Sequence, residues 1–549
     1  MNNKEIDKTK IRFNIMAIIL IAIFCFAISP VTLQNDTFYT IKIGEHIVQN
    51  GIDMQDHFSY HNLQYTYPHW LYDVGIYLIY SIGGMFGIYI STVALAIILG
   101  LSIYITNVKL TKNDVTSFLI TIGSIYLLKD YIAARAQLVT FILFVLTVYF
   151  IEQFLNTKKK RYAIFLVIIP IIIANVHVAV FPFYFVLYLP YIAEYIIYLL
   201  SNIKVLIKNI KIKKLNKKLH NINNEDEKQK INNKILGLEE SKKIFLENKE
   251  KRAQDAYKIK ITNNKNVKFL IIIMIVCMLT GFITPLGTTP YTYLVKAMQG
   301  TTTKNISEHL PLTLIDNKNY MVVLVLFLAI LIFTDTKIRL CDLFMLGGLT
   351  FLTFYTKRQE SIFIIICAFI LNRLVCSLFN KYDSNGPKKI EKKMTSLVGM
   401  ITTIALVLSI SIVNYKPKMD DDFVDESSYP VMASDYILNE LDIEKIKLYN
   451  EYNYGSYLVF RGIPVFIDSR ADLYSPEFNE GVEIFNDFLN ISGVNIDNIE
   501  EKFDEYGFTH LIMYKDAKLR RFISKMPEKY ALLYEDDYFC IYERGDYEI

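Results

Sequence analysis

The sequence predicts a polytopic α-helical membrane protein with about eleven transmembrane helices, followed by a C-terminal extracytoplasmic α/β domain. Three observations carry this. Of the 549 residues, 52% are hydrophobic and 14% aromatic, yet 21% are charged. Charge and apolarity are therefore segregated along the chain, as in spans joined by polar loops. Apolar runs of helical length recur from the N-terminus to residue 414, whereas after residue 416 short strand-like and helix-like segments alternate and none is long enough to span.

Taken in order, Lys4, Lys8, Lys10 and Arg12 precede an apolar run over 15–31 that no small-x-small cleavage site ends. It reads as an uncleaved first span with a cytoplasmic N-terminus. Further runs lie at 70–83, 86–107, 115–129, 136–155, 162–176, 178–200, 268–285, 319–334, 341–356, 361–379 and 395–414. If all of them crossed, the Lys158–Arg161 cluster and the basic stretch 204–268 would lie outside, against the positive-inside rule. The run at 70–83 is broken by Gly83-Gly84, carries Asp73 and is too short to cross. Laid on the outer surface with Trp70, Tyr72, Tyr77 and Tyr80 at headgroup depth, it leaves eleven spans and returns both basic clusters to the inside.

This gives a transmembrane domain over 1–415, with an outer loop at 32–85 containing juxtamembrane helices and a cytoplasmic helical insertion at 201–267. The insertion, dense in Lys, Glu and Asn, reads as a hairpin of two solvated helices. The extracytoplasmic domain covers 416–549. Its expected strands are 447–449, 465–468, 510–514, 531–534 and 538–543, and its helices 434–441, 476–489, 499–506 and 518–526. The aromatic and charged stretch from Ser456-Tyr457 to Asp472 reads either as a surface for an envelope partner or as an α/β core with a surface Asp468–Arg470–Asp472 ion network.

A net charge of +4 arises mostly from Lys-rich stretches beside apolar runs, which orient the chain and give no reason to expect nucleic acid. Five of the six cysteines fall in or next to apolar runs, so neither a disulfide framework nor a Cys metal site follows. No P-loop, dinucleotide fingerprint or G-x-S-x-G elbow is present, against nucleotide-driven pumping and serine hydrolysis.

Six of the eight histidines, His46, His57, His61, His69, His177 and His309, fall in outer loops with Asp36, Glu45, Asp53, Asp56, Asp73 and Glu308. Asp36 follows the first span directly. A carboxylate at such a dehydrated boundary suits general-base work, or else it caps a helix over 37–49. Arg135 (with Lys129) and Lys357-Arg358 are cations at outer span ends, where a lipid-carrier phosphate would supply the missing partner; snorkelling, or pairing with Asp130 and Glu360, is the other reading. His46, His57, His61 and His69 with Asp53 and Asp56 are residue types that bind a divalent metal, and His57 and His61 have helical spacing. Their segment reads as an extended loop without the Glu of H-E-x-x-H, so no metal ligand is assigned.

An ordered set of short motifs goes further: Asn35-Asp36-Thr37-Phe38-Tyr39 through Gly44-Glu45, Asp56-His57-Phe58-Ser59-Tyr60, Pro68-His69-Trp70-Leu71, Ala134-Arg135-Ala136-Gln137, Asn175-Val176-His177, Pro285-Leu286-Gly287, Ile306-Ser307-Glu308-His309 and Val465 to Asp472. With the topology, this resembles the GT-C superfamily of membrane glycosyltransferases, in particular bacterial protein-mannosyltransferase-like (family 39-like) proteins. The resemblance implies a polyprenyl-phosphate-linked sugar as donor and an acceptor glycan, lipid or protein in the envelope. It also implies transfer on the outer face of the cell membrane, with a first-loop acid as base. Asp36 matches that position, with Glu308 and Asp56 as further catalytic candidates. Arg135, Lys357, Arg358 and His177 are expected at the donor phosphate, and His69, Trp70 and Asp53 at the acceptor. Metal dependence varies across the superfamily, so the resemblance assigns no metal. The alternatives are a transporter or flippase of lipid-linked saccharides and a non-catalytic envelope scaffold. The lack of an internal repeat, and ionisable groups gathered at span ends, favour the enzyme.

Overall fold

Each apolar run of the sequence is helical, since a segment in hydrocarbon satisfies its backbone polar groups only within itself. The computed structural model describes residues 3–220, 225–254, 258–300, 302–315, 317–495 and 498–545. Six helices among these residues are long and apolar enough to cross a membrane: Lys8–Ile28, Trp70–Thr111, Ala136–Thr157, Val178–Ser201, Lys357–Tyr382 and Leu397–Lys418. Four shorter apolar helices, Asp114–Leu127, Val267–Phe282, Lys318–Phe333 and Leu340–Tyr355, accompany them. The runs at 70–83 and 86–107 are two successive helices within Trp70–Thr111, parted by a kink at Gly84, whose non-helical φ of 58° a side chain would resist.

Polar side chains tie the helices together. The Asn372 amide donates to Asn107 Oδ1 at 3.0 Å, Thr111 Oγ1 at 3.2 Å and Ser117 Oγ at 3.1 Å. Near the Lys158 end of helix Ala136–Thr157, Glu152 and Asp342 share the guanidinium groups of Arg339 and Arg373. The insertion forms helices Ile203–Leu219 and Glu225–Gln254, joined where Lys208 donates to Ser241 Oγ at 2.6 Å; residues 221–224 between them lie outside the described residues.

The tail holds a four-stranded sheet in the order Leu448–Tyr449, His510–Tyr514, Phe539–Arg544, Tyr530–Glu535; the first pair is parallel and the others antiparallel. Two expectations fail here. Residues 465–468 are not a strand: Asn450 Oδ1 accepts from the Phe466 N–H at 2.8 Å and its amide donates to Ile467 O at 2.6 Å, standing in for a neighbouring strand. The helix expected over 476–489 begins only at Ile484, and an unexpected one, Tyr452–Phe460, precedes it. That helix lies so close to residues 467–468 that a Cβ on Gly455 would sit 2.0 Å from Ile467 O.

The tail also shares its cores with the segment 32–85 that follows the first helix. Ser59 bridges Val465 in parallel, the Tyr60 hydroxyl donates to Leu448 O at 3.2 Å, and the Tyr429 hydroxyl donates to Leu33 O at 3.1 Å. Phe38 meets Tyr429 and Tyr457 edge-on, with centroids 4.9 and 5.1 Å away. First loop and tail therefore form one packed layer on the helical body.

Candidate functional site

Asp36 stands in the first turn of helix Asn35–Asn50, where the helix dipole favours an anion. It does not cap that helix: Gln34 holds the cap position, and the Asp36 carboxylate is ion-paired with Arg135. Both neighbours of Asp36 are tied down, Asn35 donating to Tyr452 O at 3.1 Å and the Thr37 hydroxyl to Ala134 O at 3.3 Å. Arg135 occupies the extended cap position of helix Ala136–Thr157, and its other nitrogen reaches Glu308 at 3.2 Å. One guanidinium thus bridges a part-buried and a half-exposed carboxylate. Burial pushes the Asp36 carboxyl up, but Arg135 and the Ser469 hydroxyl outweigh it and hold Asp36 below the usual carboxylate range.

This pair lines a cavity of about 770 Å³ between the helical body and the tail. Phe141, Phe144, Phe183, Leu352 and Ile362 give it an apolar side; Tyr452, Ser469 and Asp472 give it a polar one. His69, His177, Glu308 and Arg358 line it as well. A directional chain fixes His177. The Thr140 hydroxyl donates to Ala136 O, so its oxygen accepts from His177 Nδ1–H at 3.1 Å, and Nε2 is left to accept from Arg358 at 3.5 Å. His177 is therefore a neutral imidazole that orients Arg358, in keeping with burial holding its pKa well below the ordinary value. Burial and the Arg358 charge likewise push His69 down to about 4.

The remaining candidates lie elsewhere. Lys357 opens onto an adjoining cavity of about 640 Å³ that shares Arg135, Glu308 and Arg358 with the first. Asp56 lies off both cavities: with Asp468 it clasps Arg470, each carboxylate 2.6 Å from a guanidinium nitrogen, and all three side chains are at most 2% exposed. The Ser59 hydroxyl and N–H also donate to Asp56, and Phe58 and Tyr65 flank the guanidinium. Trp70 is off the cavity too, its indole N–H donating to Asn175 Oδ1 at 3.1 Å, while the Asn175 amide holds Ile283 O at 2.9 Å. Asp53 is engaged by His57 and Tyr67. Of the loop histidines, His61 turns away to Phe466 O at 2.9 Å and His69 packs on His177, leaving His46, Asp53 and His57 together.

Asp472 was missed as a site residue by sequence reasoning. It takes no part in an ion network with Asp468 and Arg470. It lines the cavity, accepts from the Tyr293 hydroxyl at 2.8 Å, and burial raises its pKa. No local pattern signals this, because Tyr293 is distant in sequence. Comparison with known proteins finds no matching family model and no matching curated protein.

Proposed function

We propose that the chain is a membrane glycosyltransferase of GT-C type, moving a sugar from a polyprenyl-phosphate carrier to an envelope acceptor on the outer face. The observation that carries this is the Asp36–Arg135 pair in a cavity with one apolar and one polar side. A prenyl phosphate is amphiphilic in the same way. The first isoprene units would lie along Phe141, Phe144 and Phe183, with the phosphate reaching Arg135 and Arg358.

In the reaction, an acceptor hydroxyl oxygen attacks the anomeric carbon from the face opposite the phosphate. The new glycosidic bond forms as the bond from that carbon to the phosphate oxygen breaks, and the electron pair leaves with the phosphate. Asp36 takes the hydroxyl proton. Arg135 couples the two halves: a donor phosphate competes for its guanidinium, loosening its hold on Asp36 and making that carboxylate a better base as substrate arrives. Glu308 and His69 contact the sugar or acceptor. Asp56, Trp70 and Asp53 act in this scheme through the shape of the first loop rather than by contact.

Binding of a short-chain polyprenyl monophosphate to the purified protein tests the phosphate assignment. Arg358→Ala should weaken it by about tenfold or more, as expected for loss of a charge-assisted hydrogen bond. Equal affinity in the variant would remove Arg358 from the site.

A further inference from the structure

Away from the cavity, His46, Asp53 and His57 bring three metal-ligating atoms within 4.8 Å of one another. His46 lies at the end of helix Asn35–Asn50, ten residues and so about 15 Å along the axis from Asp36. Gly51, at φ 85°, turns the chain back so that Asp53 and His57 face it. Asp53 Oδ2 is 2.6 Å from His57 Nε2 and 3.6 Å from His46 Nε2, and the imidazoles stack with centroids 4.4 Å apart. Asp53 Oδ1 is already held by the Tyr67 hydroxyl at 2.9 Å and the Gln55 N–H at 3.1 Å, which aims Oδ2 at the two rings. His46 Nε2 is buried and has no hydrogen-bond partner among the described residues. A buried nitrogen left without a partner beside a carboxylate and a second imidazole is poor design for a hydrogen-bonded cluster and good design for a cation.

We propose that these three side chains form a Zn²⁺ site that fastens the first loop to its helix. Two nitrogens and one carboxylate oxygen suit zinc rather than Mg²⁺ or Ca²⁺, which prefer all-oxygen shells. The Asp53 and His57 side chains are 38% and 43% exposed, so a water completes the tetrahedron from the solvent side. Ligand atoms around tetrahedral zinc stand about 3.3 Å apart, so the 2.6 Å Asp53–His57 pair would open and the 3.6 Å Asp53–His46 pair close, adjustments that side-chain rotation supplies. His57 would bind as the tautomer with its proton on Nδ1, exchanging its hydrogen bond to Asp53 for a shared ion. The Asn50 amide nitrogen lies 3.2 Å from His46 Nδ1; with that amide turned over, its oxygen would accept from Nδ1–H and keep Nε2 free for the metal. The loop has reason to need a fastening, since Met54, Asn62 and Tyr67 all sit at positive φ within it.

The test is calorimetric titration of full-length, untagged, chelator-treated protein in micelles with Zn²⁺, paired with its melting temperature. One equivalent should bind and raise Tm, while Mg²⁺ at the same concentration does neither. Asp53→Asn keeps an oxygen for Tyr67 and Gln55 but presents an amide where Oδ2 was, and His57→Ala trims an exposed ring. Each should cost about tenfold or more in affinity with the metal-free fold unchanged by circular dichroism, whereas His220→Ala should bind as the parent does. Absence of a saturable equivalent, full affinity in both variants, or an equal response to Mg²⁺ would each overturn the site.

Discussion

Arg135 is the residue on which the proposed chemistry turns, because it sets the charge state of Asp36. Burial alone would raise that carboxyl, and the guanidinium brings it below the ordinary range. Wild-type transfer should therefore hold its rate down to the usual carboxylate pKa range on the acid side. In Arg135→Gln burial is opposed chiefly by the Ser469 hydroxyl alone, Asp36 takes up its proton at higher pH, and the acid limb of the rate profile moves toward neutrality. A pH profile of the residual activity checks this; an unmoved acid limb would mean that Asp36 is not the base. His177 makes a different point. The run Asn175-Val176-His177 drew attention to it, but its neutral state rests on the order of donors from Arg358 through Thr140 to Ala136. Arg358 and the helix that carries Thr140 and Ala136 lie far apart in the chain, so sequence could nominate His177 but could not separate orienting an arginine from touching a phosphate.

At the scale of elements, the apolar runs and the polar insertion were legible because hydrocarbon and water each leave a helix one pattern to follow. The same holds for the break at Gly83-Gly84, where a kink at Gly84 parts two helices. Less legible were segments whose partners are distant in the chain. Residues 465–468 have the β-branched, apolar look of a strand, but the Asn450 side chain takes the backbone groups a neighbouring strand would need. Tyr452–Phe460 has a strand-like aromatic composition and is a helix packed on helix Asn35–Asn50. The Asp56–Arg470–Asp468 clasp joins two elements that sequence placed in separate domains. Truncating a fully buried charge strands its partners, and Arg470→Met leaves two carboxylates behind. We expect a loss of about 3–5 kcal/mol in unfolding free energy, measured by denaturant titration in micelles. A change within the range of ordinary surface substitutions would show that water reaches the clasp.

For the whole molecule, the tail is part of the site's wall and shares its cores with the first loop. A protease site introduced among the exposed residues Asp420, Asp421 and Asp422 should therefore yield two pieces that co-migrate in size-exclusion chromatography and keep their activity. Separation of the pieces without denaturant would contradict the shared core. A transporter would use the same cavity as a station on a path, an enzyme as a place where a bond breaks. The direct measurement is to incubate the protein in vesicles with sugar-labelled polyprenyl-phosphate hexose and an envelope extract, following both label and lipid. The account predicts that label enters the extract as free polyprenyl phosphate accumulates, and that Asp36→Asn slows this about a hundredfold to ten-thousandfold while folding normally. Label that crosses the bilayer still attached to its lipid, or an Asp36→Asn variant as fast as the parent, would contradict it.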